Sequence, residues 1–218
     1  MSGQVVTELC GYKGDTWEIE LDGERKVYVN VSVVEEFGLR KGQTLTAAAL
    51  EQITDADVLR KAKKRALYLI GGREMCRGEL LKKLTKTYGA EIAEEAADYV
   101  CELGYVNDGE YAPKLAEYLI KHKRWGVRRV RYEMIMRGLD RELVENTLAD
   151  VPEEELDEEL ITLIERRYIN KIADYDDRRR TIAALARRGY GFDEIKRCIE
   201  TVLESIDDGD DYDEINEE

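Results

Sequence analysis

Histidine is nearly absent from this chain: among 218 residues His122 is the only one. That removes most triads and proton relays built on imidazole. Cysteine is sparse and scattered. Cys10, Cys76, Cys101 and Cys198 form no C-x-x-C pair and have no companion histidines, so the ligand clustering of a zinc site is missing. They read as reduced, mostly buried thiols. Proline is down to two residues while 38% of the chain is charged, a composition that favours long helices. Charged side chains break every apolar run well short of the ~18–20 residues of a spanning helix. The opening Met1-Ser2-Gly3-Gln4-Val5 has neither the basic nor the apolar stretch of an export signal, so a cytoplasmic location is expected. Nucleotide and hydrolase motifs are missing too: no G-x-x-x-x-G-K-[ST], no G-x-G-x-x-G after a strand, no G-x-S-x-G. Gly71-Gly72 closes a helical pattern and reads as a helix stop. No cofactor and no metal are expected.

What is present is a change of period. Trp17-Glu18-Ile19-Glu20-Leu21 alternates apolar and polar, Asp22-Gly23 follows, and Lys26 to Val31 alternates again. Two such runs around Asp-Gly predict a hairpin with a type I′ turn, which needs positive φ at both central residues. Val5, Val6 and Leu9 can supply a third strand. Ser32 to Leu39 reads as a short helix closed by Gly38, with a turn at Lys41-Gly42. Residues 1–54 are therefore expected to form a small β-rich module.

From Thr54 the period becomes 3.6, with Thr54-Asp55-Ala56-Asp57 as the expected cap. Successive apolar stripes follow at spacings of three and four. They comprise Val58, Ala62, Leu69 and Ile70; Leu80, Leu81, Leu84 and Tyr88; Ile92, Ala96, Val100 and Leu103. The next group starts at Asn107-Asp108 with Tyr111, Leu115, Tyr118 and Leu119, then Val127, Val130 and Met134, then Leu143, Val144 and Leu148. Beyond Pro152 come Leu156, Leu160, Leu163 and Ile164, then Ile182, Leu185 and Ala186. A last helix holds Ile195, Ile199, Val202 and Ile206 behind a staple and cap at Phe192-Asp193. Middle helices stop at Gly89, Gly138 and Gly189, about 50 residues apart, a period of helical repeat arrays. The expected fold is mainly α: three tandem three-helix repeats over 55–105, 106–151 and 152–206, stacked into an elongated curved array. An acidic disordered tail is expected over 207–218.

The net charge of −14 is unevenly spread. Residues 1–55 hold 5 basic and 10 acidic side chains, residues 56–150 hold 19 and 16, and residues 151–218 hold 10 and 22. The middle is thus mildly basic. Cations cluster in each repeat: Arg60 to Arg65 with Lys82, Lys83 and Lys86; Lys121, Lys123, Arg124, Arg128, Arg129 and Arg131; Arg178, Arg179, Arg180, Arg187 and Arg188. On one side of an array they would form a discontinuous stripe suited to a phosphate backbone or an acidic protein groove. Read singly, each is an ordinary solvated cation paired with a neighbouring carboxylate. Glu153-Glu154-Glu155 behind Pro152 complements a helix dipole. Tyr105, Tyr111, Tyr118 and Trp125 lie in or near the basic middle, where stacking against bases is open to them; helical spacing favours packing for Tyr111 and Tyr118, and His122 reads as packing.

Gly104-Tyr105-Val106-Asn107-Asp108-Gly109-Glu110-Tyr111-Ala112 resembles the G-[YF]-[LIV]-[ND]-D-x-x-[FY]-A signature of the RecX regulatory proteins. Ala66 to Arg73 and Glu79 to Leu84 resemble that family's first unit. Arg124-Trp125-Gly126-Val127-Arg128-Arg129-Val130 resembles its R-x-G-x-x-[RK]-[IV] stretch, and Arg137-Gly138-Leu139 its helix stop. Arg178-Arg179-Arg180 and Ala186 to Tyr190 match the third unit more weakly. Cys76 stands where a serine cap is common, and Pro113 falls in the first turns of its helix. The resemblance implies three three-helix units, no enzymatic activity and a RecA filament on single-stranded DNA as main partner. It implies restraint of that filament by a protein expected to be monomeric, with the cations above facing the filament or its DNA. Direct binding of single-stranded DNA, or a scaffold for another protein, are the alternatives.

Overall fold

A computed structural model describes residues 3–213, with side chains described for residues 3–206. The chain folds into two compact units. One runs from the N-terminus to Glu74 and includes Leu80–Val106; the other comprises Met75–Glu79 and everything from Asn107 on.

The first unit opens with β1 (Gln4–Lys13), β2 (Thr16–Leu21) and β3 (Arg25–Asn30), followed by the short helix α1 (Val31–Glu36) and β4 (Thr44–Leu45). The sheet order is β3-β2-β1-β4, with antiparallel pairing throughout. The expected hairpin is there: Asp22 has φ +55° and Gly23 φ +77°, the type I′ conformation that matches strand twist. The Asp22 carboxylate also accepts from the Val5 N–H at 2.8 Å, which stitches the turn to β1. Period-2 patterning sends Val6, Ile19, Leu21 and Val29 inward, where they meet Val33, Val34, Leu39, Leu45, Leu50 and Ile53. The two-residue strand β4 is too short to show in the sequence pattern.

Helix α2 (Ala47–Gly72) begins earlier than expected. Thr46 is its cap, its hydroxyl accepting from the Ala49 N–H at 3.1 Å. Thr54 instead lies inside the helix, its hydroxyl bonded back to the carbonyls of Leu50 and Glu51, the usual way a mid-helix threonine satisfies itself. The boundary placed at residue 54 thus falls within a helix. Helices α3 (Arg77–Tyr88) and α4 (Ala90–Glu102) follow. Ala62 and Ala66 of α2 and Ala93, Ala96 and Ala97 of α4 are fully buried, small residues that let two helices pack closely. Leu103, expected on the α4 stripe, is exposed because it lies at the cap of the helix.

The second unit holds two further three-helix groups. The first contains α5 (Asp108–Glu117), α6 (Val127–Arg137) and α7 (Arg141–Ala149); the second contains α8 (Glu153–Ile172), α9 (Tyr175–Arg187) and α10 (Phe192–Asp213). Ala112, Leu115, Leu119, Val130, Met134 and Val144 form one core, which Cys76 joins. Leu160, Ile164, Ile172, Leu185, Ile195 and Ile199 lie in the other. Glu153, Glu154 and Glu155 occupy the first turn of α8, as read from the sequence. Phe192 is exposed, so no staple forms. Glu194 caps α10 instead, its carboxylate accepting from the Gly191 N–H at 2.8 Å. The α10 backbone continues to Asp213, into the stretch expected to be a disordered tail, and residues 214–218 lie outside the described ones.

Asp57, expected near a helix start, is buried and ties the sheet to α2. It accepts from the Asn30 N–H at 3.0 Å and pairs with Lys61 at 2.6 Å. Burial pushes its carboxyl up, but the Lys61 ammonium, the Asn30 N–H and Arg60 together hold it below the ordinary carboxylate value. A depressed native value means stability present above the unfolded pKa and lost as pH falls through the folded one. Asp57→Ala leaves a part-buried N–H unsatisfied and should cost about 1–3 kcal/mol. Urea unfolding followed at Trp17 of β2 measures it, and the gap to wild type should close under acid.

Candidate functional site

The middle cations are positioned by an irregular helix end. Asn107 caps α5, its side chain accepting from the Gly109 and Glu110 N–H groups. Pro113 sits inside the helix without breaking it. The chain then widens into a π-helical turn over Tyr118–His122, with Lys123 N–H donating to the Tyr118 carbonyl and Trp125 N–H to that of Leu119. Arg124 takes φ +54°, an uncommon left-handed conformation for a residue with a side chain, and this reverses the chain into α6. Neither the wide turn nor the reversal has a sequence signal at this point.

The loop entering α6 lies against the loop that ends α9. Gly126 N–H donates to the Arg188 carbonyl at 3.0 Å and Arg128 N–H to that of Gly189 at 3.2 Å. The two backbones touch: a Cβ on Gly126 would overlap Tyr190 N and the Gly189 carbonyl carbon. One on Gly189 would lie 2.5 Å from Arg129 N and Cβ, and Gly189 has φ +96° besides. The same device recurs in this unit one repeat earlier. A Cβ on Gly78 would enter the backbone of Gly138, and one on Gly138, at φ +104°, would lie 2.9 Å from Gly78 Cα. Beside it the Cys76 thiol donates to the Arg137 carbonyl at 3.5 Å. Sequence reasoning identified Gly138 and Gly189 as helix stops and missed the contact, because each contact pairs glycines about sixty residues apart in the sequence.

This junction sorts the cations expected to form a stripe. Arg188 donates to the carbonyls of Lys123 and Arg124. Arg178 donates to those of Ile172 and Ala173, closing α8. Arg124 pairs with Glu159. Lys121 is shared by Glu117 at 3.2 Å and Glu155 at 3.0 Å, and Arg131 meets Glu145 at 2.8 Å. Arg180, though 80% exposed, pairs with Asp177 within its own helix. The exposed remainder has no ion pair among the described residues: Lys123, Arg128, Arg129, Arg179 and Arg187 in the second unit, and Lys83 in the first. Lys82 is exposed and has an interaction of its own. Arg124, Arg128, Arg129 and Arg188 are brought together around the Gly126–Gly189 contact, with Lys123 next to them in sequence. Arg129 lies 4.1 Å from the centroid of Trp125. Near them, Tyr118 and His122 are exposed, not packed as expected, and stack on each other at 5.3 Å.

The signature residues are mostly architectural. Gly104 (φ +74°) ends α4, Asp108 accepts from the Arg77 N–H at 2.8 Å, and the Tyr111 hydroxyl accepts from Arg137 at 3.2 Å. Ala112 is fully buried, and Tyr105 stands 63% exposed. Cys76 supplies a cap after all, its sulfur accepting from the Glu79 N–H, while burial pushes its pKa up. Burial, with Asp157, pushes Cys198 up to about 12, so both buried thiols stay protonated at neutral pH. A cavity of about 260 Å³ lies beside the π-turn, lined by Pro113, Ile120, Lys121, Thr147 and Glu155 among others. Among the described residues no group of three or more His, Cys, Asp or Glu could hold a metal ion. Among the described residues no helix is long and apolar enough to cross a membrane.

Comparison with known proteins matches two segments to family models. Residues 107–148 match the second three-helix domain of RecX, and residues 153–199 the third. The regulatory protein RecX of Listeria innocua is 26% identical over 204 residues, covering 91% of this chain and 75% of that one. That of Clostridioides difficile is 23% identical, covering 91% and 96%. Among solved structures, a crystal structure of regulatory protein RecX shares the fold with a TM-score of 0.68 at 20% identity, over 90% of this chain and 99% of that one. RecX from Lactobacillus salivarius gives 0.60 at 21% identity, over 67% and 97%.

The glycine contact makes a sharp prediction. Gly126→Ala or Gly189→Ala should destabilise the second unit by about 2–4 kcal/mol, through overpacking and, at Gly189, backbone strain. Gly72→Ala, where a Cβ meets open space in a helix, should be neutral or stabilising by up to about 1 kcal/mol. Urea unfolding followed at Trp125 would reject the contact if all three variants behaved alike.

Proposed function

Because this chain belongs to the RecX family of regulatory proteins, we propose that it binds a RecA filament on single-stranded DNA and restrains its recombinase, ATPase and coprotease output. The observation that carries the reading is the set of exposed cations without carboxylate partners, Lys123, Arg128 and Arg129, at the Gly126–Gly189 junction, with Arg187 at the end of α9. In a protein of net charge −14, unpaired cations held beside a rigid backbone contact are where an anionic surface is met with least desolvation cost. Phosphate or carboxylate groups of a filament supply that surface. The paired arginines act one step back. Arg124, Arg178 and Arg188 hold the loops in place, so their loss acts through the fold. A regulator of this kind needs no catalytic centre, only several weak contacts with a polymer of identical subunits.

The decisive measurement is ATP hydrolysis by RecA on single-stranded DNA with this protein at a small fraction of the RecA concentration. Progressive substoichiometric loss of hydrolysis supports filament restraint. Inhibition only at DNA-saturating concentrations favours plain competition for the strand. Arg128→Glu with Arg129→Glu should raise the half-inhibiting concentration about tenfold, worth about 1.4 kcal/mol, with helix content unchanged. Unaltered inhibition by that double variant would sink the assignment of these residues.

A further inference from the structure

The π-turn Tyr118–His122 carries two aromatic rings together at the surface. Widening the turn by one residue puts Leu119 and Ile120 into the core and leaves Tyr118 44% exposed with His122 exposed beside it. The rings are 5.3 Å apart at an interplanar angle of 22°, a stacked pair, and the Lys123 ammonium lies 5.5 Å from the Tyr118 centroid. π-turns of this kind are rare and concentrate at functional sites.

The surroundings suit an anionic, planar ligand. Carboxylates close to the turn are already committed: Glu117 and Glu155 to Lys121, and Glu159 to Arg124. The one cation over the rings, Lys123, is exposed and has no ion pair among the described residues. Its flexible stem allows the ammonium to leave the ring face and meet a phosphate while the ring face takes a base. An aromatic surface with an uncommitted cation beside it is the elementary unit of single-strand binding, tolerant of sequence because every base has a π-face.

We propose that Tyr118 and His122 form a stacking platform for an unpaired nucleobase of single-stranded DNA, with Lys123 on the adjoining phosphate. This rests on the filament reading above and names the part of the filament that the turn touches. The test uses the full chain and fluorescence anisotropy at low salt, with an oligothymidylate and an abasic oligonucleotide of the same length as probes. Tyr118→Ala should weaken oligothymidylate binding about tenfold and leave abasic binding unchanged, while Tyr118→Phe retains wild-type affinity for both. Equal losses on the two probes, or none on either, would overturn the platform, as would wild-type protein that restrains RecA without binding oligothymidylate. The RecA hydrolysis assay separates the two readings. If Tyr118→Ala keeps its oligothymidylate affinity but loses restraint of RecA, the rings meet protein: the base platform falls and the filament reading stands.

Discussion

Backbone meeting backbone at Gly126 and Gly189 is the constraint on which the second unit depends. Two main chains can come this close only where neither carries a Cβ, and there the interaction is short, polar and directional, through the N–H groups of Gly126 and Arg128. A side-chain interface could slide by an ångström and repack. A glycine-to-glycine contact cannot, because the register is set by hydrogen bonds and any displacement leaves buried amide groups unpaired. The same contact between Gly78 and Gly138 uses the start of one middle helix and the end of the next, so the repeat carries its own docking rule.

The charge distribution follows from that constraint. Loops pressed together present carbonyls that need donors, and arginine, with five N–H groups in a rigid fork, supplies them. Arg188 serves the loop after the π-turn and Arg178 the end of α8. Arginines that look alike in a sequence therefore divide into those consumed by the fold and those left exposed without an ion pair among the described residues. Arg128 and Arg129 sit at the glycine contact itself through their backbones, and their side chains are exposed with no ion pair among the described residues. With the backbone already fixed by the contact, only side-chain freedom is lost when they meet a charged surface. The acidity of the protein as a whole is then no obstacle, since surface charges more than a Debye length away are screened.

The family signature is explained in the same physical terms. Asn107 caps a helix, Asp108 receives the first N–H of α3, Tyr111 anchors Arg137 and Ala112 fills a space too small for more. These residues mark the family because they build the repeat. The residues proposed for binding lie elsewhere, on the rim of the junction and on the π-turn.

Local chemistry was legible in the sequence. Asp22-Gly23 specified its turn through positive φ, alternation specified the strands, period 3.6 specified nine helices, and Gly138 and Gly189 marked helix ends, because each depends on residues within one or two turns of one another. Tertiary structure alone decided the rest. Thr46 outcompeted Thr54 as the cap of α2, and Asp57 became a buried tie to the sheet because the Asn30 N–H met it there, beside Lys61 one turn along its own helix. Tyr118 and His122 came to the surface through a wide turn that has no sequence signal. Several cations were paired by carboxylates and carbonyls brought from distant segments: Glu155 and Glu159 to Lys121 and Arg124, the Lys123 carbonyl to Arg188. The sequence holds the number of charges, but their pairing is a property of which surfaces the glycines allow to touch.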